Sequence, residues 1–343
     1  MHDALEAGHC EFRPACTEHV CINKRVPFAS IIIMSLTRSA YRVALTFNWF
    51  GRKSFLCEPM SSESTRLLGT KHVGFLGSGQ MAQALAKGFL SAGILKGEQV
   101  TMADVFSTSS ADAHLFEPIK QLQDAYGVEY VQMNDVMAKK SDIIFICVKP
   151  HIVRPTLKGI SHVFDGKLVI SVAAGVTLEQ LSQVVSQSTR LIRIMPNTPC
   201  LVGAGTAFFA VGPSASAEDV LLTKMLCSSI FNVFEEVPET MFDAATGISG
   251  CGPAYMYLIV EALTDGGVRI GLPRQLAHKL AVSTMLGSAI MMEKTGENPA
   301  KLRGDVCSPG GATIAAIHTL EEGGLRATIM NAVKAAAVRS GEL

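Results

Sequence analysis

Charge is scarce in this chain. Only 17% of its 343 residues are Asp, Glu, Lys or Arg, against roughly 25% in ordinary soluble proteins. The 30 basic and 30 acidic residues cancel, so there is no bulk field to hold nucleic acid or an anionic membrane. Long apolar runs are missing too. A run such as Ile31-Ile32-Ile33-Met34 falls far short of the roughly 18 residues that cross a bilayer. The nine cysteines are too sparse for a disulfide scaffold. Their odd number, without a secretory signal, points to free thiols in a reducing compartment. Cys10, Cys16 and Cys21 lie near His9 and His19, but spacings of six and five match no common zinc finger, and no metal site is expected. What the chain has is apolar bulk: 48% hydrophobic residues and a mean hydropathy of +0.30. That excludes disorder, collagen and coiled coil as the main architecture. It also exceeds what one small monomer buries, which implies an oligomer interface.

Residues 1–70 show no sustained helical or strand period and carry the single tryptophan, Trp49. Residues 34–57 contain no acid, while Arg38, Arg42, Arg52 and Lys53 alternate with hydroxyl and apolar residues. This is the composition of a mitochondrial transit peptide when translation starts at Met34. A start at Met60 would omit it and leave a cytoplasmic protein.

Regular structure is expected from Lys71. The buried-strand run His72-Val73-Gly74-Phe75-Leu76 leads straight into Gly77-Ser78-Gly79-Gln80-Met81-Ala82. Ala82, Leu85, Ala86, Phe89 and Leu90 then recur at helical spacing. A G-x-G-x-x-A loop between a strand and a helix is a dinucleotide-binding fingerprint. Gly77 makes the turn, Gly79 leaves room for a pyrophosphate, and Ala82 allows close packing. The phosphates rest on free N–H groups at the helix N-terminus. A second strand over residues 99–103 ends in Asp104. A carboxylate there receives the adenosine ribose hydroxyls and repels a 2′-phosphate, which favours NADH over NADPH. The alternative is that the hydroxyls of Ser107, Thr108, Ser109 and Ser110 hold that phosphate.

Three further apolar runs, at residues 142–148, 168–172 and 191–195, read as parallel strands covered on both faces. Their carboxyl ends at Lys149-Pro150-His151, Ala173-Ala174-Gly175 and Pro196-Asn197-Thr198-Pro199 form the expected cleft floor. Lys149 is a candidate to face the nicotinamide ribose or a substrate carboxylate. Strands at 206–211 and 231–237 complete the sheet. From Glu239 onward, strands stop and helical spacing takes over. Small residues such as Gly266, Gly267 and the run Ala335-Ala336-Ala337 permit close helix packing. The segment Asp305-Val306-Cys307-Ser308-Pro309-Gly310-Gly311-Ala312-Thr313-Ile314 sets hydroxyls around a Pro-Gly-Gly turn before a helix. That arrangement suits either a carboxylate site or an ordinary N-cap supplied by Ser308 or Thr313.

The run V-C-S-P-G-G-A-T-I-A-A-I-H-T-L beginning at Val306 resembles the signature of pyrroline-5-carboxylate reductases. So do Gly250-Cys251-Gly252-Pro253-Ala254-Tyr255, Gly271-Leu272-Pro273 and the stretches at 195–199, 74–79 and 148–151, in the same order. The likeness spans about 71–343. It implies an α/β Rossmann-type dinucleotide-binding domain at 71–238, then an all-α dimerisation domain at 239–343. The activity it implies is reduction of the C=N bond of 1-pyrroline-5-carboxylate to L-proline, with NADPH or NADH, in a homodimer that assembles to a homodecamer. Substrate contacts carry over to Val306, Ser308, Ala312 and Thr313, with polar dimer-cleft residues at Glu239 and Thr246. Cofactor contacts carry over to Leu76, Gly77, Ser78, Gly79, Gln80, Met81, Asp104, Asn134, Val148, Lys149, Pro150, Val172, Ala173, Ala174 and Asp305. Two positions depart from the family: Cys251 stands where members commonly carry Ser, and Asp104 where animal members often carry a small hydroxyl residue. Glu297 is a further candidate in a stretch that aligns ambiguously. A protonated cyclic imine needs clamping and orientation rather than a nucleophile, so His151 and His318 are read as structural. A β-hydroxyacid dehydrogenase shares this architecture but needs a helical-domain lysine facing the cleft, and residues 255–262 contain none. A redox-sensing regulator would need no carboxylate loop.

Overall fold

The computed structural model describes residues 67–105 and 113–342. The transit-peptide stretch, the Cys10–His19 neighbourhood and the hydroxyl run from Ser107 lie outside the described residues. Among the described residues there are eight strands: β1 (Val73–Leu76), β2 (Val100–Ala103), β3 (Glu129–Val131), β4 (Ile143–Ile146), β5 (Leu168–Ser171), β6 (Arg190–Pro196), β7 (Gly205–Val211) and β8 (Phe231–Glu236). They form one sheet in the order β3-β2-β1-β4-β5-β6-β7-β8. All neighbouring pairs are parallel except β6 and β7.

The helices α1 (Gln80–Ser91), α2 (Ala113–Tyr126), α3 (Asn134–Lys140), α4 (Pro150–Ile160), α5 (Leu178–Ser182) and α6 (Ala217–Cys227) intervene between strands. Strands β1, β2, β4 and β5 are buried at every residue, as their unbroken apolar runs require when both faces are covered. One face packs Phe75, Phe89 and Phe145 against one another, with Phe75 and Phe145 stacked 5.3 Å apart. The other packs Leu76, Ile144, Ile146 and Phe208 under α3, α4 and α5.

The expected strands are all found, most with shorter ends, while β6 and β7 run slightly longer than expected. Gln99 belongs to a 3₁₀ turn, not to β2. Its side chain ties back to the carbonyls of Gly69 and Lys71. β3 was not legible because it is a three-residue edge strand containing Glu129, with no apolar run to betray it. The core also reaches back before Lys71, since Leu68 is buried in it.

After β8 the chain is helical. A 3₁₀ turn (Glu239–Met241), α7 (Phe242–Ala245) and a π-helical turn (Thr246–Gly250) run into α8 (Gly252–Arg269). There follow α9 (Arg274–Thr295), α10 (Pro299–Asp305), α11 (Ala312–Glu322) and α12 (Leu325–Gly341). α8 and α9 meet where Gly267 leaves no space: a Cβ there would sit 2.9 Å from the Ala277 Cβ. α12 lies against the π-turn, with Gly247 pressed on the Val333 carbonyl. Beyond such contacts these helices bury little. α8 buries only Gly252 and Thr264, α9 only Ala277 and Ala281, and α10, α11 and α12 no residue. No described helix is long and apolar enough to cross a membrane.

Candidate active site

The loop after β1 divides its two glycines between different tasks. Gly77 has φ +96, and a Cβ there would lie 2.8 Å from Val148 Cγ1 and 3.0 Å from the Cys147 carbonyl carbon. Only glycine fits both the backbone conformation and the space. Gly79 has an extended backbone, and a Cβ there would meet nothing within 4 Å. Its hydrogen is therefore kept for space on the open side of the loop. Gly79 is also the N-cap of α1, and no side chain caps that helix. Free N–H groups beside an open glycine fit a dinucleotide pyrophosphate.

Asp104 closes this loop from β2. Its Oδ2 accepts from the Ser78 amide at 2.7 Å and the Ser78 hydroxyl at 3.0 Å, and its Oδ1 accepts from Val105 N at 2.8 Å. Ser78 is 1% exposed. The carboxylate thus sits on the rim of the loop with three of its acceptor positions already engaged. Asn134 begins α3, beyond the carboxyl end of β3. Lys149 is the exposed N-cap of α4, with Pro150 as its first residue. Val172, Ala173 and Ala174 follow β5. Leu76 and Ala173 have buried side chains, so only their backbones border the cleft. Gln80 is exposed, while Met81 is half-buried and its sulfur lies 3.7 Å from Cys200 Sγ. The fold therefore gathers the expected cofactor residues of the sheet half at its carboxyl ends. Asp305 is the exception. It ends α10, exposed and paired with Lys301 at 3.2 Å.

The carboxylate loop takes a defined shape. Gly311 N donates to the Ser308 carbonyl at 3.0 Å, and Gly310 has φ +66. Pro followed by a positive-φ glycine across such a bond is the type II turn pattern. Gly311 caps α11 through its backbone, and no side chain accepts there. The N-cap reading of Ser308 and Thr313 is thus not what the loop adopts. Both hydroxyls stay exposed beside free helix N–H groups, together with Val306 and Ala312. The loop's own bonds, Cys307 N to Gly304 O and Gly311 N to Ser308 O, are local. No hydrogen bond among the described residues joins this loop to the sheet half.

Glu239 and Thr246 occupy the junction. Glu239 Oε1 accepts from Arg193 Nη1 and from Leu178 N, each at 2.8 Å. Thr246 opens the π-turn, a helix distortion common at functional sites. Asn197 fastens this turn to the end of β6: its Nδ2 donates to the Ser249 carbonyl and its Oδ1 accepts from Thr206 N. The Tyr255 hydroxyl donates to the Gly247 carbonyl, and burial followed by the nearby Cys251 pushes its pKa up. Burial also raises the thiols of Cys147, Cys200 and Cys227, with Cys200 pushed up to about 11. They stay protonated at neutral pH and make poor nucleophiles. His318 is exposed on α11 beside Glu322. α8 carries no lysine along its whole length. The Arg193–Glu239 pair and the Ser78–Asp104 clasp were not anticipated. The one available signal was an arginine inside the apolar run of β6.

Residues 239–343 match the family model described as pyrroline-5-carboxylate reductase dimerisation, and residues 72–175 match one described as NADP oxidoreductase coenzyme F420-dependent. The chain is 43% identical to pyrroline-5-carboxylate reductase of Arabidopsis thaliana over 79% of its own length and 95% of the relative's. It is 41% identical to pyrroline-5-carboxylate reductase 2 of Homo sapiens, over 79% and 83% of the two chains. Among solved structures it resembles the Plasmodium falciparum pyrroline carboxylate reductase with NADP bound, with a TM-score of 0.70, 33% identity, and 79% and 97% of the two chains covered. A Coxiella burnetii pyrroline-5-carboxylate reductase superposes with a TM-score of 0.71 at 29% identity, covering 80% and 98%.

Proposed function

The chain belongs to the pyrroline-5-carboxylate reductase family, and from that membership we infer that it reduces 1-pyrroline-5-carboxylate to L-proline with a nicotinamide cofactor, the last step of proline biosynthesis. The observation that carries this is identity above 40% across nearly the whole of a plant reductase, through both the sheet and helical halves. When bound, the reduced nicotinamide supplies the hydride. The remaining work is positioning. Gly77, Gly79 and the free N–H groups of α1 hold the pyrophosphate. Ser308, Thr313 and the free N–H groups of α11 clamp the substrate carboxylate. Glu239 and Thr246 offer polar groups to the ring. The C=N carbon of a protonated imine is already electrophilic, so orientation supplies most of the acceleration.

Cofactor choice, assembly and compartment belong to this proposal in finer form. Asp104 favours NADH, because a carboxylate on the loop rim repels a 2′-phosphate; the P. falciparum relative has NADP bound, so this residue is the point to test. A homodimer is supported by the apolar side chains that the helical half leaves outside, and by a carboxylate loop that, among the described residues, makes no hydrogen bond to the sheet half. Further assembly to a decamer rests on the family resemblance. The acid-free stretch at 34–57 supports a mitochondrial destination. The domain limits are a dinucleotide domain at 71–238 and a helical domain at 239–343, with the extension at 1–70 lending Leu68 to the sheet core. The full chain mixed with pyrroline-5-carboxylate and either reduced cofactor should consume the cofactor, read by its absorbance. No consumption above blank with both cofactors would overturn the reading.

A further inference from the structure

An arginine in the middle of an apolar strand needs a reason, because burying a charge is unfavourable unless it is paired. Arg193 lies centrally in β6 and is 5% exposed. Its neighbours across the sheet are Ser171 on β5 and Ala210 on β7. Two small side chains leave room for the long one to run along this face. Its guanidinium lies 4.3 Å from the centroid of the Phe242 ring, itself buried in the first turn of α7, and its Nη1 donates to Glu239 Oε1 at 2.8 Å. The same oxygen accepts from Leu178 N at 2.8 Å. One carboxylate oxygen therefore joins a central strand, the start of α5 and the opening turn of the helical half. Among the described residues Glu239 Oε2 makes no hydrogen bond, and the side chain keeps 28% exposure.

Apolar residues of similar volume would pack here at least as well, so stability alone does not explain a buried ion pair. Direction does. From Glu239 the chain continues through the 3₁₀ turn, α7 and the π-turn without leaving helical conformation until α8 is reached. The angle set at Glu239 and Phe242 is thus passed to Thr246 and α8. We propose that Arg193 is a positioning residue for the reduction: through Glu239 and Phe242 it sets the helical half on the sheet, and it presents Glu239 Oε2 and Thr246 to the substrate. This rests on the functional reading above, in which those two residues face the pyrroline ring. The pyrophosphate loop follows β1, three strands from β6 in the sheet, and the cofactor residues nearest the pair are Val172 to Ala174 after Ser171, so substrate KM should respond far more than cofactor Kd.

The test is steady-state kinetics and cofactor binding on the full chain. Arg193→Gln should raise the KM for pyrroline-5-carboxylate about tenfold, while the Kd for reduced cofactor, read by its fluorescence, stays within about twofold of wild type. Arg193→Lys keeps the charge without the planar fork, and should fall between wild type and Arg193→Gln. Glu239→Gln should reproduce the rise in KM, and the double variant should be no worse than the poorer single one, because both act on one contact. If Arg193→Gln does not fold, Arg193→Lys and Glu239→Gln decide alone by the same split between KM and Kd. An unmoved KM in the Arg193 variants, or a cofactor Kd that rises in step with KM, overturns the proposal. A wild-type chain that does not turn over pyrroline-5-carboxylate overturns the functional reading instead.

Discussion

Phe75, Phe89 and Phe145 are sealed within the sheet half, whereas Tyr257 and Leu258 in the helical half are each 65% exposed. The two halves have similarly apolar sequences, yet one closes a core within a single chain and the other does not. The difference lies in the partners each element meets. Strands of a parallel sheet are covered on both faces by the helices that connect them. The long helices α8 and α9 pair with each other and with little else, so their remaining apolar surface stays open. Surface left exposed on this scale marks an association site. Composition does not separate the halves, because the helical half carries at least as large a share of charged residues as the sheet half.

The comparison breaks most sharply under truncation of one side chain from each half. Phe145→Ala should lower the unfolding free energy by about 3–5 kcal/mol, because Phe145 stacks on Phe75 and packs at a tilt against Phe89. Leu258→Ala should barely change unfolding of the single chain but weaken self-association. Denaturant titration and light scattering on dilution measure the two effects. Equal loss of unfolding free energy in both variants would show that the helical half closes its own core.

Gly79→Val sharpens the division of labour within the loop. Its side chain would project into open space, so the fold should survive while cofactor affinity falls by about a hundredfold or more, roughly 2.8 kcal/mol. Gly77→Ala should instead destabilise the sheet half, since its Cβ collides with Val148 and the strand backbone. Calorimetry with and without cofactor separates the two. On the helical side, Ser308→Ala should raise the KM for pyrroline-5-carboxylate about tenfold, the worth of one hydrogen bond to a charged group, and leave cofactor Kd unchanged. A matching rise in cofactor Kd would contradict separate carboxylate and cofactor loops.

Smaller effects are expected at Asp104 and Cys200. Asp104→Ser should shift the ratio of kcat/KM toward NADPH by several-fold to about tenfold, because a carboxylate already engaged by Ser78 and Val105 repels less than a free one. An unmoved ratio would make Asp104 a loop clasp without influence on cofactor choice. For Cys200, burial raises the folded thiol to about 11 from an ordinary 9.0. The neutral thiol thus contributes stability that is complete below pH 9 and lost as pH rises through the folded value. Cys200→Ala should flatten the alkaline decline in a series of melting curves.

Much of this was legible in residue order. Gly77, Gly79 and Ala82 announced the cofactor loop because glycine and alanine there answer to backbone geometry, which is local. The strands at 142–148 and 168–172 were legible because burial on both faces leaves an unbroken apolar run. β3 was hidden because an edge strand needs no such run. The choice between N-cap and open carboxylate loop at Ser308 was not legible, because either fits the same residues until the Pro309-Gly310 turn sets where the hydroxyls lie. Glu239 entered only through family resemblance, and nothing in its own neighbourhood names Arg193 as its partner.

Sequence by itself determined the features that follow from period and from backbone restriction: the alternation of strand and helix up to Glu236, the change to helices after Glu239, and the placing of two glycine-rich loops before helix N-termini. Those properties depend on neighbours within a few residues. Only tertiary structure decided which charges are spent inside the fold. Asp104 is drawn onto Ser78 across 26 residues, and Arg193 onto Glu239 across 46. Such pairs depend on which strands lie side by side, and a buried charge takes whatever opposite charge the topology brings within reach.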